Sequence, residues 1–226
     1  MSGQQRNTTV KETIAIVGGT GHLGAAIARR LAKAGRKVVI GSRDAERAQK
    51  AAADLGFGIR GDSNAAAATA GDIVIVTVPF ASQLATLSEI AAHVAGKIVV
   101  DTTVPLMPPK VMRVQLPPEG SAAVRAQRLL GDGVRLVSAF HNVAAHKLAT
   151  DEAIACDVFV FGDDKAARVT VVELTRQMGL RGLQGGALAN SAAAEALTSI
   201  LIFINKTYGV DGAGIQVTGA LIEPAP

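Results

Sequence analysis

The stretch Thr13-Ile14-Ala15-Ile16-Val17-Gly18-Gly19-Thr20-Gly21-His22-Leu23-Gly24 decides the fold. Thr13–Val17 is short, apolar and rich in β-branched residues, which predicts a buried strand. After the glycines, Leu23, Ile27 and Leu31 recur four apart on one helical face, with Arg29, Arg30 and Lys33 largely elsewhere. A strand, a glycine turn and a helix form the setting in which Gly19-x-Gly21-x-x-Gly24 has a mechanism. Glycine permits the tight turn and lets the main chain approach a pyrophosphate. The unpaired N–H groups of the first helical turn then point at the anion. The structural alternative is a glycine-rich turn with no ligand.

Outward from this stretch, strands and helices alternate. Gly35 stops the first helix, Lys37–Ile40 reads as a second strand, and Asp44–Leu55 as a second helix. A weaker strand is expected near Phe57–Arg60. Asp72–Val78 is an unbroken run of Ile, Val and Thr closed by Pro79, the pattern of a parallel strand covered on both faces. A helix over Ser82–His93 leads to a strand at Lys97–Asp101. Pro105–Gly133 breaks the rhythm with Pro105, Pro108, Pro109, Pro117 and Pro118, around a short helix at Ser121–Leu130. Val134–Ala139 returns as a sixth strand. The pattern predicts an α/β chain: a Rossmann-type doubly wound parallel sheet with a small C-terminal α+β lobe. That lobe holds a strand at Asp157–Phe161, a helix at Asp164–Met178, a strand at Leu180–Gln184 and an apolar helix at Leu188–Tyr208. The expected divisions are a flexible tail at 1–12, a nucleotide-binding Rossmann domain at 13–143, and a lobe at 144–226 that completes a cleft.

The end of the second strand selects the nucleotide. NAD sites usually place Asp or Glu there for the ribose 2′-hydroxyl; this chain has Gly41-Ser42-Arg43. A hydroxyl beside a guanidinium suits a 2′-phosphate, with Thr20 and Arg47 adding a hydroxyl and a second cation. NADP is therefore expected. In the competing reading Ser42 or Asp44 only caps the next helix and Arg43 is a solvated charge.

Composition removes other classes. Over 226 residues, 23 Lys and Arg face 19 Asp and Glu, a mild excess not gathered into a basic stripe. Six Phe, one Tyr and no Trp give no stacking platform, so nucleic acid is not an expected partner. The single cysteine, Cys156, excludes a disulfide framework and a cysteine-based zinc site. His22, His93, His141 and His146 show no metal spacing, so no metal is expected. Residues 1–12 lack an apolar signal core, and Leu197–Ile204 is too short to span a bilayer, which points to a cytoplasmic protein without a membrane partner. Glycines 18, 21 and 24 also fit the spacing of short-chain dehydrogenases. Their Tyr–Lys mechanism is excluded, because Gly212 stands four residues after Tyr208, the only tyrosine. No Gly-x-Ser-x-Gly elbow supports Ser–His–Asp hydrolysis. His141, ending the sixth strand, is either a cofactor or substrate contact or a structural hydrogen-bonding residue. The last helix is apolar on more than one face, which suggests burial or a homodimer contact.

Ile16–Gly24 and Val39-Ile40-Gly41-Ser42-Arg43 resemble the coenzyme F420-dependent NADP oxidoreductases. So do Val104-Pro105-Leu106, Ser138-Ala139-Phe140-His141-Asn142, Cys156-Asp157-Val158 with Gly162-Asp163-Asp164, and Leu188-Ala189-Asn190 with Glu195-Ala196-Leu197-Thr198. The resemblance runs from about Thr13 to Ile215. It implies hydride transfer between a reduced deazaflavin, coenzyme F420, and NADP. NADP is implied at Gly18, Gly19, Thr20, Gly21, His22, Leu23, Gly24, Ser42, Arg43 and Arg47, passing Val78, Pro79 and Phe80. The two rings are implied to meet near Val104, His141 and Ala145, with Asn142, Val143 and Thr198 on the deazaflavin side. His141 is the expected catalytic residue, through ring positioning or protonation.

The chain also departs from that pattern. Ala192 stands where a basic residue commonly follows the Asn-Ser pair, Ala196 where some members carry Ser, and Val143 and Ala144 follow His141-Asn142 without the Pro of archaeal members. A missing cation bears on the anionic deazaflavin, not on NADP. Two rival functions are an NADPH-dependent reductase of a flavin, imine or ketone, and a non-catalytic NADP(H) sensor.

Overall fold

The computed structural model describes residues 12–222, so the expected tail at 1–12 lies almost wholly outside the described residues. Its strands are β1 (Thr13–Val17), β2 (Lys37–Ser42), β3 (Arg60–Ser63), β4 (Ile73–Val76), β5 (Ile98–Asp101), β6 (Arg135–Ser138), β7 (Asp157–Gly162) and β8 (Arg181–Gly186). The helices are α1 (His22–Lys33), α2 (Ala45–Leu55), α3 (Asn64–Ala70), α4 (Phe80–Ile90), α5 (Ala122–Leu130), α6 (Ala145–Leu148), α7 (Lys165–Gln177) and α8 (Ser191–Tyr208). These strands form one sheet, in the order β3-β2-β1-β4-β5-β6-β7-β8, and the first six are mutually parallel.

The sheet is covered on both faces, which is why its central strands are apolar without alternation. Ile14 and Ile16 of β1 face α1, α2 and α7 through Ala26, Ile27, Leu31, Ala48, Val171 and Leu174. Ala15 and Val17 face the other way, onto Ala67, Leu87, Ile90 and Ala123 of α3, α4 and α5. Each fully buried Ile contributes about 1.5–3 kcal/mol by leaving water. Truncating Ile16 to Ala is expected to cost about 2–5 kcal/mol.

Three local expectations change. The third strand lies at Arg60–Ser63 instead of Phe57–Arg60, because Phe57 is in an exposed turn with φ +54. β3 can be polar because it is an edge strand, and Gly61 lets it close onto the Ala48 backbone of α2. Helix α3 is not visible in the sequence: its alanine-rich run has no apolar stripe, and it is marked only by the Ser63 cap. Arg30, expected off the apolar face of α1, is 8 % exposed. Its guanidinium donates to the carbonyls of Leu148, Met178, Thr150 and Glu152, which makes burial tolerable.

The C-terminal α+β elements form as expected and also extend the sheet. β7 pairs antiparallel with β6 through Val137–Gly162 and Ser138–Phe161, and β8 runs parallel to β7. The sheet is thus continuous across the expected division at residue 143. Helix α8 with the turn before it spans Leu188–Tyr208, as expected. It has the length and composition of a membrane span, a property that core helices share, and a third of it is buried.

Candidate functional site

Because β1, β2, β4, β5 and β6 run parallel, their C-terminal ends open along one edge of the sheet. The strand order reverses at β1 and β4, the position where open α/β sheets take ligands.

The glycines at this point separate into two kinds. Gly18 has φ +74, and a Cβ there would lie 2.6 Å from Val78 Cγ1. A Cβ on Gly19 would sit 2.7 Å from Ile16 O and Ile40 Cβ; on Gly24, 2.5 Å from Thr77 Oγ1. Those three are required by the protein's own packing. Gly21 is not: the nearest atom to its Cβ would be Gly18 O at 3.5 Å, and its φ of −80° suits any residue. The packing of the described residues does not call for glycine there, and the space beside it is open to an external group. Gly21 is also the N-cap of α1, which has no side-chain cap and no acidic residue in its first turn. The positive end of α1 is left open, and it fits a pyrophosphate.

Beside it, Ser42 ends β2, nearly buried, with its Oγ accepting from Asp44 N at 3.2 Å. Asp44 in turn caps α2 by accepting from Arg47 N at 3.2 Å. The capping alternative therefore holds for Asp44, while the Ser42 hydroxyl keeps its proton to donate. Arg43 and Arg47 are exposed, and among the described residues no carboxylate pairs with either. Thr20 is half-buried and His22 exposed at the same turn, while Leu23 packs against the core.

The other strand ends form a second group. After β4, Thr77 Oγ1 donates to Val17 O at 3.1 Å, Val78 lies against Gly18, and Pro79 caps α4. Phe80 opens α4 with the Arg125 guanidinium 4.6 Å from its ring centre. After β5, Val104 is half-buried. After β6, Phe140 has φ +69, a left-handed conformation that non-glycine residues rarely hold. It turns His141, Asn142 and Val143 inward.

The structure brings His141, Asn142, Val143 and Thr198 together. His141 is 6 % exposed, with Nε2 2.7 Å from Ser138 Oγ and its ring tilted against Phe161. Burial lowers its pKa to about 4, so the ring is neutral. Asn142 Nδ2 donates to Ala194 O and Thr198 Oγ1, and the Thr198 hydroxyl donates to His141 O at 3.0 Å. Ala145, the first residue of α6, is half-buried. Ala192 and Ala196 lie half-buried on α8.

Sequence reasoning missed the polar groups behind these turns. Asp101, Gln83, Ser121, Ser191 and Glu195 are all buried, and burial raises the pKa of both carboxyls, that of Glu195 to about 7. Glu195 is a charged residue inside an otherwise apolar helix, the signal that was available for it. A hollow of about 890 Å³ lies elsewhere, along α7 and the edge strand β8. It contains none of the strand ends just described.

Residues 13–105 match the family model described as NADP oxidoreductase, coenzyme F420-dependent. The chain is 38 % identical to the F420-dependent NADP reductase of Methanothermobacter thermautotrophicus over 218 residues, 91 % of this chain and 94 % of that one. It is 38 % identical to the same-named protein of Methanocaldococcus jannaschii, over 91 % and 97 % of the two chains. A 1.70 Å crystal structure from Arthrobacter sp. FB24, of a candidate F420-dependent NADP-reductase, superposes with a TM-score of 0.81 at 25 % identity, covering 91 % of this chain and 99 % of that one. The chain belongs to the coenzyme F420-dependent NADP oxidoreductase family.

Proposed function

We propose that this chain transfers hydride between reduced coenzyme F420 and NADP, in the cleft at the C-terminal ends of β1, β2, β4, β5 and β6. One observation carries the reading: in a chain of this family, an open helix N-terminus at Gly21 lies beside Arg43 and Arg47, which no described carboxylate neutralises. The unpaired backbone N–H groups of the first turn of α1 bind the pyrophosphate, while the Gly21 N–H is held by Gly18 O. Ser42 and Arg43, with Thr20 and Arg47, bind the 2′-phosphate. The turn Val78–Phe80, Val104 and Ala145 hold the nicotinamide, and His141, Asn142, Val143 and Thr198 the deazaflavin. Both redox groups come from the bound cofactors, which exchange a hydride directly. The protein's part is to align the rings and exclude water, and alignment alone is worth about 7–11 kcal/mol of the barrier. The buried, neutral His141 fits ring positioning better than proton transfer.

Residues 144–226 close the cleft in this reading. The exposed Ile200 and Phe203 on α8 support a homodimer contact. The reading also includes a cytoplasmic location, where both diffusible cofactors would be met as partners. Mixing the purified protein with reduced deazaflavin and NADP and following reoxidation optically tests the activity. NADPH consumption only with a flavin, imine or ketone would favour another reductase, and binding without turnover a sensor.

A further inference from the structure

Behind the cleft, four elements meet through buried polar groups that direct hydride exchange does not itself require. Gln83 Nε2, in the first turn of α4, donates to Asp101 Oδ2 at the end of β5 (2.6 Å) and to Ala122 O of α5 (3.0 Å). The N–H groups of Ala122 and Ala123 donate to the two carboxylate oxygens of Glu195 on α8, at 2.7 and 3.1 Å. Ser191, one turn earlier on α8, donates its hydroxyl to Ser121, the N-cap of α5, at 2.9 Å. Glu195 is 1 % exposed.

A carboxylate buried this deeply is unfavourable unless fixed donors replace water. Ser121 Oγ takes only the Val124 N–H, at 3.0 Å, so Glu195 completes the cap of α5 from another helix by taking the N–H groups of Ala122 and Ala123. What Glu195 adds is a tie between helices. Three residues further along α8, Thr198 holds both His141 O and Asn142 Nδ2. On the opposite side, α4 begins with Phe80, and the chain leaving Asp101 reaches Val104, with Thr103 donating to Asp101 Oδ1 at 2.6 Å.

Resting on the cleft reading above, we propose that Glu195 is a positioning residue for hydride transfer: it locks α8 to α5, and so fixes the Thr198–His141–Asn142 wall of the cleft relative to the Phe80 and Val104 wall. It touches neither ring. Its effect passes through Thr198.

The test uses the full chain with Glu195→Ala, Glu195→Gln, Thr198→Val and the double variant Glu195→Gln/Thr198→Val. NADP affinity is expected to stay within about twofold in all four, because α1 and β2 are untouched. Hydride transfer from reduced deazaflavin should fall roughly tenfold to a hundredfold in Glu195→Ala, the scale of a 1 Å misplacement. Glu195→Gln, which keeps one acceptor, should recover part of it. The double variant should lose less than the product of its single losses, as for residues in one chain of contact. Multiplicative losses, unchanged transfer in Glu195→Ala, or a parallel fall in NADP affinity would each overturn the proposal. If Glu195→Ala does not fold, Ser191→Ala is a milder lesion of the same tie. Reduced transfer with NADP affinity intact would then support the proposal, and unchanged transfer would overturn it. Absence of transfer in the unaltered protein would instead sink the cleft reading, and the proposal with it.

Discussion

Helices α1 and α5 both begin without an acidic residue in the first turn, yet their N-termini are finished in opposite ways. At α5 the chain satisfies its own donors: Ser121 accepts from Val124 N, and Glu195 accepts from Ala122 N and Ala123 N. At α1 it supplies no side chain, and the N-cap is a glycine whose side-chain space is open. Both ends carry the same partial positive charge. One is filled by the protein and becomes a structural joint; the other is left open, and in the proposed function it takes a ligand's phosphate.

The sharpest way to break this contrast is to fill the open end. Gly21→Ala should fold normally, since its Cβ meets nothing closer than 3.5 Å. It should nevertheless weaken NADP by about a hundredfold or more, because the methyl occupies the space a pyrophosphate needs. Gly19→Ala is the control: its Cβ would lie 2.7 Å from Ile16 O, and overpacking should lower stability by about 1–3 kcal/mol. Thermal melts and NADP titration of the pair check both. Wild-type affinity in Gly21→Ala would remove α1 from the site.

The filled end is probed by pH. Burial raises the Glu195 pKa from 4.5 to about 7. A carboxyl that ionises less readily folded than unfolded contributes fully below about pH 4.5, progressively less up to about pH 7, and nothing above. Its contribution across that window is about 3 kcal/mol. Glu195→Gln never ionises and lacks this slope. Urea unfolding of both proteins between about pH 4.5 and 8 should show the difference in stability moving towards the variant as pH rises. A constant difference would mean that the carboxylate is not held in a dry site. Asp101, raised in the same direction, is present in both proteins and largely cancels.

These two ends also show which parts of the molecule a sequence exposes. The open end is legible because its chemistry is local: strand, glycines and helix are consecutive, and Gly41-Ser42-Arg43 follows within one βα unit. The filled end is not, because Glu195 meets Ala122 from 73 residues away and reads as a polar interruption in an apolar helix. The central parallel strands are legible through their unbroken Ile and Val runs. The edge strand β3 and the alanine-rich α3 are not, since neither carries an apolar pattern that distinguishes it from a loop. Likewise, Arg30 reads as a solvated charge because its four carbonyl partners lie more than 110 residues on.

Beside the open end, Arg43→Ala should weaken NADP by roughly tenfold to a hundredfold, the loss of a charge-assisted contact worth about 1.5–3 kcal/mol. NAD affinity should stay unchanged. Equal losses for the two nucleotides, measured by fluorescence titration, would defeat the assignment of Arg43 to the 2′-phosphate.

The smallest effect is expected at His141, in the turn after β6. Its imidazole is buried, held at Nε2 by Ser138 and neutral, with a pKa of about 4. A ring neutral throughout the physiological range does not change charge there, and its remaining N–H is a very weak acid. His141→Ala should therefore lower turnover only severalfold, through looser packing of the Asn142 and Val143 wall, and leave NADP affinity intact. Between about pH 6 and 9 the shape of the turnover profile should be the same with and without the imidazole. An ionisation in that range that disappears with His141→Ala, or complete loss of activity, would make His141 an acid in the reaction, and the wall it forms would then be chemical as well as steric.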